Sequence, residues 1–204
     1  MKTPKLLALA TAFGAVAFLA VAADSPAPAA ASGSAPAAAP STYTVTLSSV
    51  HMCCGNCVKG ASKAVSSLSG VTAVGSTDDG SVVVTAPDKA TAQKAVDALT
   101  NAGFYGTSSS ADIKVNSDTG ATTTKVSSLE ISNLHLCCGK CVNAVNDILS
   151  KVDGVTGNTA KTKATTFTVT GDFSPKAVMD ALQAGGLTGK VGATMPEVTA
   201  APKT

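Results

Sequence analysis

A cysteine motif that occurs twice constrains the fold of this chain more than any other feature. Residues 51–58 read HMCCGNCV, and residues 135–142, 84 positions later, read HLCCGKCV. The pair Gly70-Val71 recurs at the same spacing as Gly154-Val155. All six cysteines of the chain lie inside the two motifs. Repetition at a fixed spacing predicts two structural units of one kind, each built around one cysteine loop.

The first copy predicts a short mixed domain. Residues 42–47 alternate polar and apolar side chains, as a half-buried strand does. Apolar residues at helical spacing from Val58 predict a helix that ends near Gly70. A hairpin over residues 71–86 follows, and Asp88 is placed to cap a second helix.

The second copy predicts the same order. Residues 128–134 form its first strand, Val142 begins the apolar face of a helix, residues 165–170 form a later strand, and Ser174 caps the last helix. The order β-α-β-β-α-β therefore occurs twice. It predicts an α+β chain of two tandem ferredoxin-like domains, with antiparallel sheets and helices on one face.

Lys2 and Lys5 precede an apolar run that ends in small residues, which is the pattern of a secretory signal peptide. We therefore expect an exported protein, periplasmic or secreted; retention through residues 6–23 as a membrane anchor is the alternative. Composition divides the chain as follows: residues 1–23 signal peptide, 24–41 Ala/Pro-rich linker, 42–111 first domain, 112–123 linker, 124–194 second domain, and 195–204 disordered tail.

Charge and residue usage exclude several function classes. The net charge is +2 and the chain has no arginine, so a nucleic-acid-binding surface is not expected. With two histidines and no base paired to a nucleophile in a recognisable motif, the chain is not expected to be an enzyme. The six cysteines are left to carry the function.

Two cysteines in C-x-x-C spacing can reach one ion. Cys57 should lie in the first turn of a helix, where unpaired N–H groups and the helix dipole favour the thiolate. Two thiolates in a loop suit a soft ion in two- or three-coordination, and Cu(I) accepts this. A structural zinc site requires four ligands, which one loop does not offer. A thiol–disulfide redox protein that uses the same pairs is the alternative function.

The motif Met52-Cys53-Cys54-Gly55-Asn56-Cys57 resembles the G-M-x-C-x-x-C signature of the heavy-metal-associated (HMA) domain. Ala102-Gly103-Phe104 matches a further position of that family. The resemblance covers both predicted domains. It implies metal ligands at four positions: Cys54, Cys57, Cys138 and Cys141. It also implies a metal-sequestering or metal-transferring protein for Cu(I), with Zn, Cd or Hg left open, and a metal-transporting ATPase or another metal carrier as partner.

The chain departs from that family in ways that leave questions open. Cys53 and Cys137 are additional cysteines and are either third ligands or small loop residues. Met52 is either a thioether ligand or an apolar plug, and its counterpart in the second copy is leucine. His51 and His135 are either extra ligands or loop residues bonded to backbone or water. We expect two ions per chain, bound independently because a flexible segment separates the domains.

Overall fold

A computed structural model describes residues 42–196. The first half contains β1 Tyr43–Ser48, α1 Gly55–Ala64, β2 Thr72–Ser76, β3 Ser81–Ala86, α2 Lys89–Asn101 and β4 Thr107–Ser108. The second half contains β5 Val126–Ser132, α3 Gly139–Leu149, β6 Val155–Asn158, β7 Thr166–Phe173, α4 Pro175–Ala184 and β8 Lys190–Pro196. The predicted order β-α-β-β-α-β is confirmed in both halves.

Each half forms one antiparallel four-stranded sheet. The strand orders are β2-β3-β1-β4 and β6-β7-β5-β8, so the first and third strands of each half lie at the centre. Burial alternates along β3, where Val82, Val84 and Ala86 are buried and their neighbours are not. Helices α1 and α2 contact the sheet of their half, so each core lies between a sheet face and its helices. The predicted α+β fold class is therefore confirmed.

Most of the two terminal segments lie outside residues 42–196, which the structure describes. The predicted signal peptide and the Ala/Pro-rich linker fall on residues 1–41, which the structure does not describe. Residues 195 and 196, which composition assigned to the tail, form the end of β8. Within residues 42–196, no helix is both long enough and apolar enough to cross a membrane.

Helix α1 is shorter than predicted. It ends at Ala64, and the chain continues through turns to Gly70, whose φ is +71°. The cause is Ser66, whose hydroxyl donates to the Lys63 carbonyl at 2.8 Å while its N–H donates to the same oxygen. Serine competes in this way with the helical hydrogen bond. Val65 still packs in the core, which explains why the apolar spacing continued past the helix end.

The two predicted helix caps differ. Asp88 accepts a hydrogen bond from the Thr91 N–H at 2.8 Å, which confirms it as the N-cap of α2. Ser174 occupies the N-cap position of α4, but its side chain makes no cap bond and its hydroxyl donates to the Thr122 carbonyl. The same carbonyl accepts the Lys176 N–H at 2.9 Å. The connecting segment thus supplies the acceptor that the serine was expected to supply.

The segment between the two halves packs against both of them. Residues 112–123 contain no helix or strand, but Ile113 is 2% exposed. Gln93 in α2 bonds the N–H and the carbonyl of Lys114 with its side-chain amide. On the other side, the Val191 N–H of β8 donates to the Thr119 carbonyl at 3.2 Å. This packing differs from the flexible separation expected from composition.

The halves meet through two equivalent glycine-led segments, Gly103–Tyr105 and Gly186–Thr188. The Tyr105 N–H donates to the Gly186 carbonyl at 3.2 Å, and the Thr188 N–H donates to the Gly103 carbonyl at 3.1 Å. Phe104 and Leu187 form an antiparallel bridge between these bonds, and both side chains are buried. The contact relates the two halves approximately as a twofold axis would.

Both glycines of this contact have little space around them. Gly103 has φ +89° and Gly186 has φ +77°. A Cβ at Gly103 would meet the backbone of Asn133 and His135, and a Cβ at Gly186 would meet that of Ser49 and His51. Each glycine therefore lets one half approach the segment that joins the first strand of the other half to its cysteine loop.

Gly186→Ala should destabilise the protein more than Gly120→Ala. The two glycines have nearly equal φ, +77° and +76°, but nothing lies within 4 Å of a Cβ at Gly120. Both variants lose about 1–2 kcal/mol to left-handed backbone, and only Gly186→Ala adds an overlap, worth about 1–3 kcal/mol. Urea unfolding followed by circular dichroism measures the difference. Equal losses would show that the close approach is absent in solution.

Candidate metal centre

Each cysteine loop leads directly into a helix. Cys54 is the N-cap of α1 and Cys138 is the N-cap of α3, both with extended backbone. Their carbonyls accept the N–H groups of Cys57 at 2.9 Å and Cys141 at 3.1 Å. The first cysteine of each C-x-x-C pair is therefore in the loop and the second is in the first helical turn, as the sequence predicted. Cys57 and Cys141 are fully buried.

The two loops face each other, so the six sulfurs form one cluster. Within each repeat the Sγ–Sγ distances are 3.5 Å for Cys53–Cys57, 3.5 Å for Cys137–Cys141 and 3.9 Å for Cys138–Cys141. Between repeats they are 3.7 Å for Cys53–Cys138, 3.5 Å for Cys53–Cys141, 3.6 Å for Cys54–Cys138, 3.5 Å for Cys57–Cys137 and 3.9 Å for Cys57–Cys141. Every cysteine contacts at least one sulfur of the other repeat.

None of these distances is that of a disulfide, and all six cysteines are free thiols. Four of the six are the ligands that the resemblance implied, and they do not form two separate pairs. The extra cysteines, Cys53 and Cys137, contact other sulfurs at distances of 3.5–3.7 Å, as the remaining four do. Their role as metal ligands stays a prediction, but a position pointing away from the site does not fit their sulfur contacts.

Among residues 42–196, four groups of three side chains have their ligand atoms within 4.8 Å of one another. Three groups contain sulfur alone: Cys53-Cys54-Cys138, Cys54-Cys57-Cys137 and Cys137-Cys138-Cys141. The fourth combines His51 with Cys53 and Cys141. Three of the four groups draw ligands from both repeats. A soft metal ion in three-coordination therefore has donors on both sides of the contact between the halves.

The two histidines border the cluster with unpaired nitrogens. The Nε2 atoms of His51 and His135 are buried and have no hydrogen-bond partner within the described structure. The His135 ring lies 4.4 Å from the Phe104 ring, centroid to centroid. Burial lowers the pKa of His51, which favours the neutral ring that can donate a lone pair to a metal. A buried unpaired nitrogen beside six thiols fits a site that takes up a cation.

The close packing of the sulfurs shifts the pKa values of the thiols in opposite directions. The hydrogen bond with Cys141 lowers the pKa of Cys57 to about 2, and the same contact raises the pKa of Cys141. The backbone N–H of Cys141 lowers the pKa of Cys138 to about 6. Burial raises the pKa of Cys53 to about 12 and raises that of Cys137. These opposite shifts favour the thiolate at Cys57 and Cys138 and the thiol at Cys53, Cys137 and Cys141, and binding of a metal cation would displace thiol protons.

Met52 is buried in the core of its own half. It is 5% exposed, and its methyl group lies against Gly75. Leu136, its counterpart, is 4% exposed. Because leucine fills the same position without a ligand atom, burial of the side chain explains both residues.

Sequence reasoning did not find that the loops share one site. It treated the copies as separate because the segment between them is polar and rich in small residues. A signal was present in the two equivalent glycines, Gly103 and Gly186, each just after a helix and before a large apolar residue. Their role in the contact between halves depends on a close backbone approach that a sequence pattern does not reveal.

Comparisons with known proteins give structural neighbours only. The chain is 17% identical to the N-terminal soluble domains of Bacillus subtilis CopA, over 76% of this chain and 96% of that one, with a TM-score of 0.28. It is 20% identical to the apo HMA domain of the copper chaperone for superoxide dismutase, over 48% of this chain and 99% of that one, with a TM-score of 0.32. It is 18% identical to the water-soluble region of the P-type ATPase CopA from Bacillus subtilis, over 75% of this chain and 93% of that one, with a TM-score of 0.28.

No protein-family model matches the chain, and no curated protein matches it. One of these neighbours is an HMA domain, the kind of domain that the motif resembles. The functional evidence specific to this chain is the geometry of its cysteines.

Brief alkylation should separate the cysteines by depth. Iodoacetamide should modify Cys54 and Cys138, which are partly exposed, before Cys57 and Cys141, which are fully buried. Peptide mass spectrometry after a short anaerobic exposure measures the order. In denaturant the order should disappear, because access then becomes equal. Early modification of Cys57 and Cys141 in the folded chain would contradict the closed contact between the loops.

Proposed function

We propose that this chain is an exported, non-catalytic protein that binds soft metal ions, chiefly Cu(I), and either sequesters them or transfers them to a partner. The observation that carries the proposal is the cluster of six thiols with sulfur–sulfur distances of 3.5–3.9 Å. Sulfur atoms at these distances can share a metal ion without a large movement of the backbone. Binding and release of a metal ion need no catalytic base.

The donor set favours a soft ion. Thiolates select Cu(I), Zn and related metals over the hard cations that prefer oxygen ligands. Cu(I) accepts two or three sulfur ligands, and three of the groups of three consist of sulfur alone. Zn, Cd or Hg are the other candidate ions. Structural zinc would take four ligands in a closed tetrahedron and would leave two cysteines of the cluster unused.

We infer that the partner is a metal-transporting ATPase or another metal carrier, as the HMA resemblance implies. A thiolate site exchanges its ion with another thiolate site by replacing one sulfur ligand at a time. Cys54 and Cys138 are the partly exposed members of the predicted ligand set, so exchange would begin there. No nucleic acid is expected as a partner.

The alternative is a thiol–disulfide redox protein. The specific observation in its favour is the set of free thiols, each within 4 Å of another sulfur. Oxidation of two such neighbours from different repeats would lock the halves together. This alternative predicts turnover with a disulfide substrate, whereas a metal carrier has none.

Anaerobic Cu(I) titration distinguishes these functions. The chain should bind Cu(I) tightly, and replacing Cys54, Cys57, Cys138 and Cys141 together by serine should abolish tight binding. Ser62→Ala, an exposed change on α1, is the control and should bind as the parent does. Elemental analysis of protein purified anaerobically from its native compartment identifies the ion. Protein without metal that reduces a disulfide substrate catalytically would overturn the proposal.

Export is a separate expectation. The apolar run and the small residues at 20–22 predict a mature chain that begins near Ala23 or Asp24. Intact mass of the protein recovered outside the cytoplasm measures the start. Recovery of a chain that retains residues 1–21 in a membrane fraction would show the anchored alternative instead.

A further inference from the structure

We propose that the two repeats build one polynuclear site, in which bridging thiolates of both cysteine loops hold four Cu(I) ions per chain. The inference rests on the proposed metal-binding function and goes beyond it. Metal binding by two separate C-x-x-C pairs would satisfy that function with two ions and would leave Cys53 and Cys137 without a role. The structure instead juxtaposes all six sulfurs.

The sulfur spacing favours three-coordination over linear binding. A metal–sulfur bond of about 2.3 Å separates two sulfurs by about 4.6 Å in linear, about 4.0 Å in trigonal and about 3.8 Å in tetrahedral coordination. The sulfur contacts of the cluster range from 3.5 to 3.9 Å. Linear coordination of two neighbouring sulfurs would push them apart, whereas trigonal coordination needs little change. Cu(I) accepts the trigonal arrangement.

The sulfurs are arranged to bridge ions rather than to bind one each. Five of the six cysteines belong to two of the four groups of three, and only Cys57 belongs to one. Cys54, for example, belongs to one group with Cys53 and Cys138 and to another with Cys57 and Cys137. A thiolate has lone pairs for two metal ions, so shared membership is chemically available. Four ions on these groups would connect into a single cluster.

Charge favours several monovalent ions over two. Six sulfurs lie within 4 Å of their neighbours, and they would repel one another strongly in this partly buried site if all were thiolates. Two Cu(I) ions would leave a net charge of about −4, and four would leave about −2, if all six sulfurs ionise. Each added ion also replaces a thiol proton, which passes to solvent. Filling is expected to be cooperative, because an ion bound to one group of three positions sulfurs that a neighbouring group shares.

The fourth group differs from the other three because it includes an imidazole. His51 stands with Cys53 and Cys141, and its buried Nε2 has no hydrogen-bond partner. Coordination through a ring nitrogen would supply the third ligand there. His135 has the same kind of unpaired nitrogen but belongs to none of the four groups. His51→Ala should therefore lower the number of bound ions by one, and His135→Ala should leave it at four.

Anaerobic native mass spectrometry of the chain loaded with Cu(I) tests the proposal directly. We expect four ions on a single chain, with unloaded and four-ion species dominating at half loading. X-ray absorption of the loaded protein should show sulfur neighbours and a metal–metal shell. Cys53→Ser and Cys137→Ser should each reduce the count from four to two, since each cysteine belongs to two groups. Ser62→Ala should keep four.

The outcomes separate the inference from the function on which it rests. Two ions per chain, filled independently, without a metal–metal shell and unchanged by Cys137→Ser, would overturn the shared cluster and leave metal binding intact. A cluster found only in species of two chains would also overturn it. Failure to bind Cu(I) at all would reject the proposed function itself. The parent chain alone supplies stoichiometry and metal–metal scattering, so the test stands even if a variant does not fold.

Discussion

The close backbone contact between Gly103–Tyr105 and Gly186–Thr188 is the constraint on which the arrangement of the cysteines depends. Two reciprocal hydrogen bonds and the buried pair Phe104 and Leu187 hold the halves in an approximately twofold relation. In the same contact, the His51 N–H donates to the Gly186 carbonyl at 3.1 Å. Because His51 begins the first cysteine motif, the contact that joins the halves also positions the first cysteine loop.

Bringing six thiols together has an electrostatic consequence. A buried thiolate is costly without a compensating charge or hydrogen bond, and here sulfur contacts and helix N-termini supply part of that compensation. Cys57 and Cys141 show this cost most clearly. The thiolate of Cys57 is favoured because Cys141 keeps its proton and donates a hydrogen bond to it. A bound cation would stabilise the thiolates of both cysteines. The metal-free cluster therefore already favours the binding of a positive ion.

Much of the fold could be predicted because local patterns control it. Alternation along β1, the Asp88 cap and the cysteine-led helices follow from nearest neighbours in the chain, and the structure confirms each of them. The predictions that were wrong concern competition with distant groups. The Ser174 hydroxyl bonds to Thr122 instead of capping its helix, and the segment expected to be flexible packs on both halves.

The sequence by itself determined that there are two similar α+β units, that each presents a cysteine loop at a helix N-terminus, and that the cysteines are the candidate functional residues. Those features arise from periodicity, spacing and residue type. Only the tertiary structure decided that the loops face each other, that Cys53 and Cys137 join the other four, and that His51 borders them. The reason is that these placements depend on two glycines without side chains, whose close approach to the opposite backbone leaves no periodic mark in the sequence.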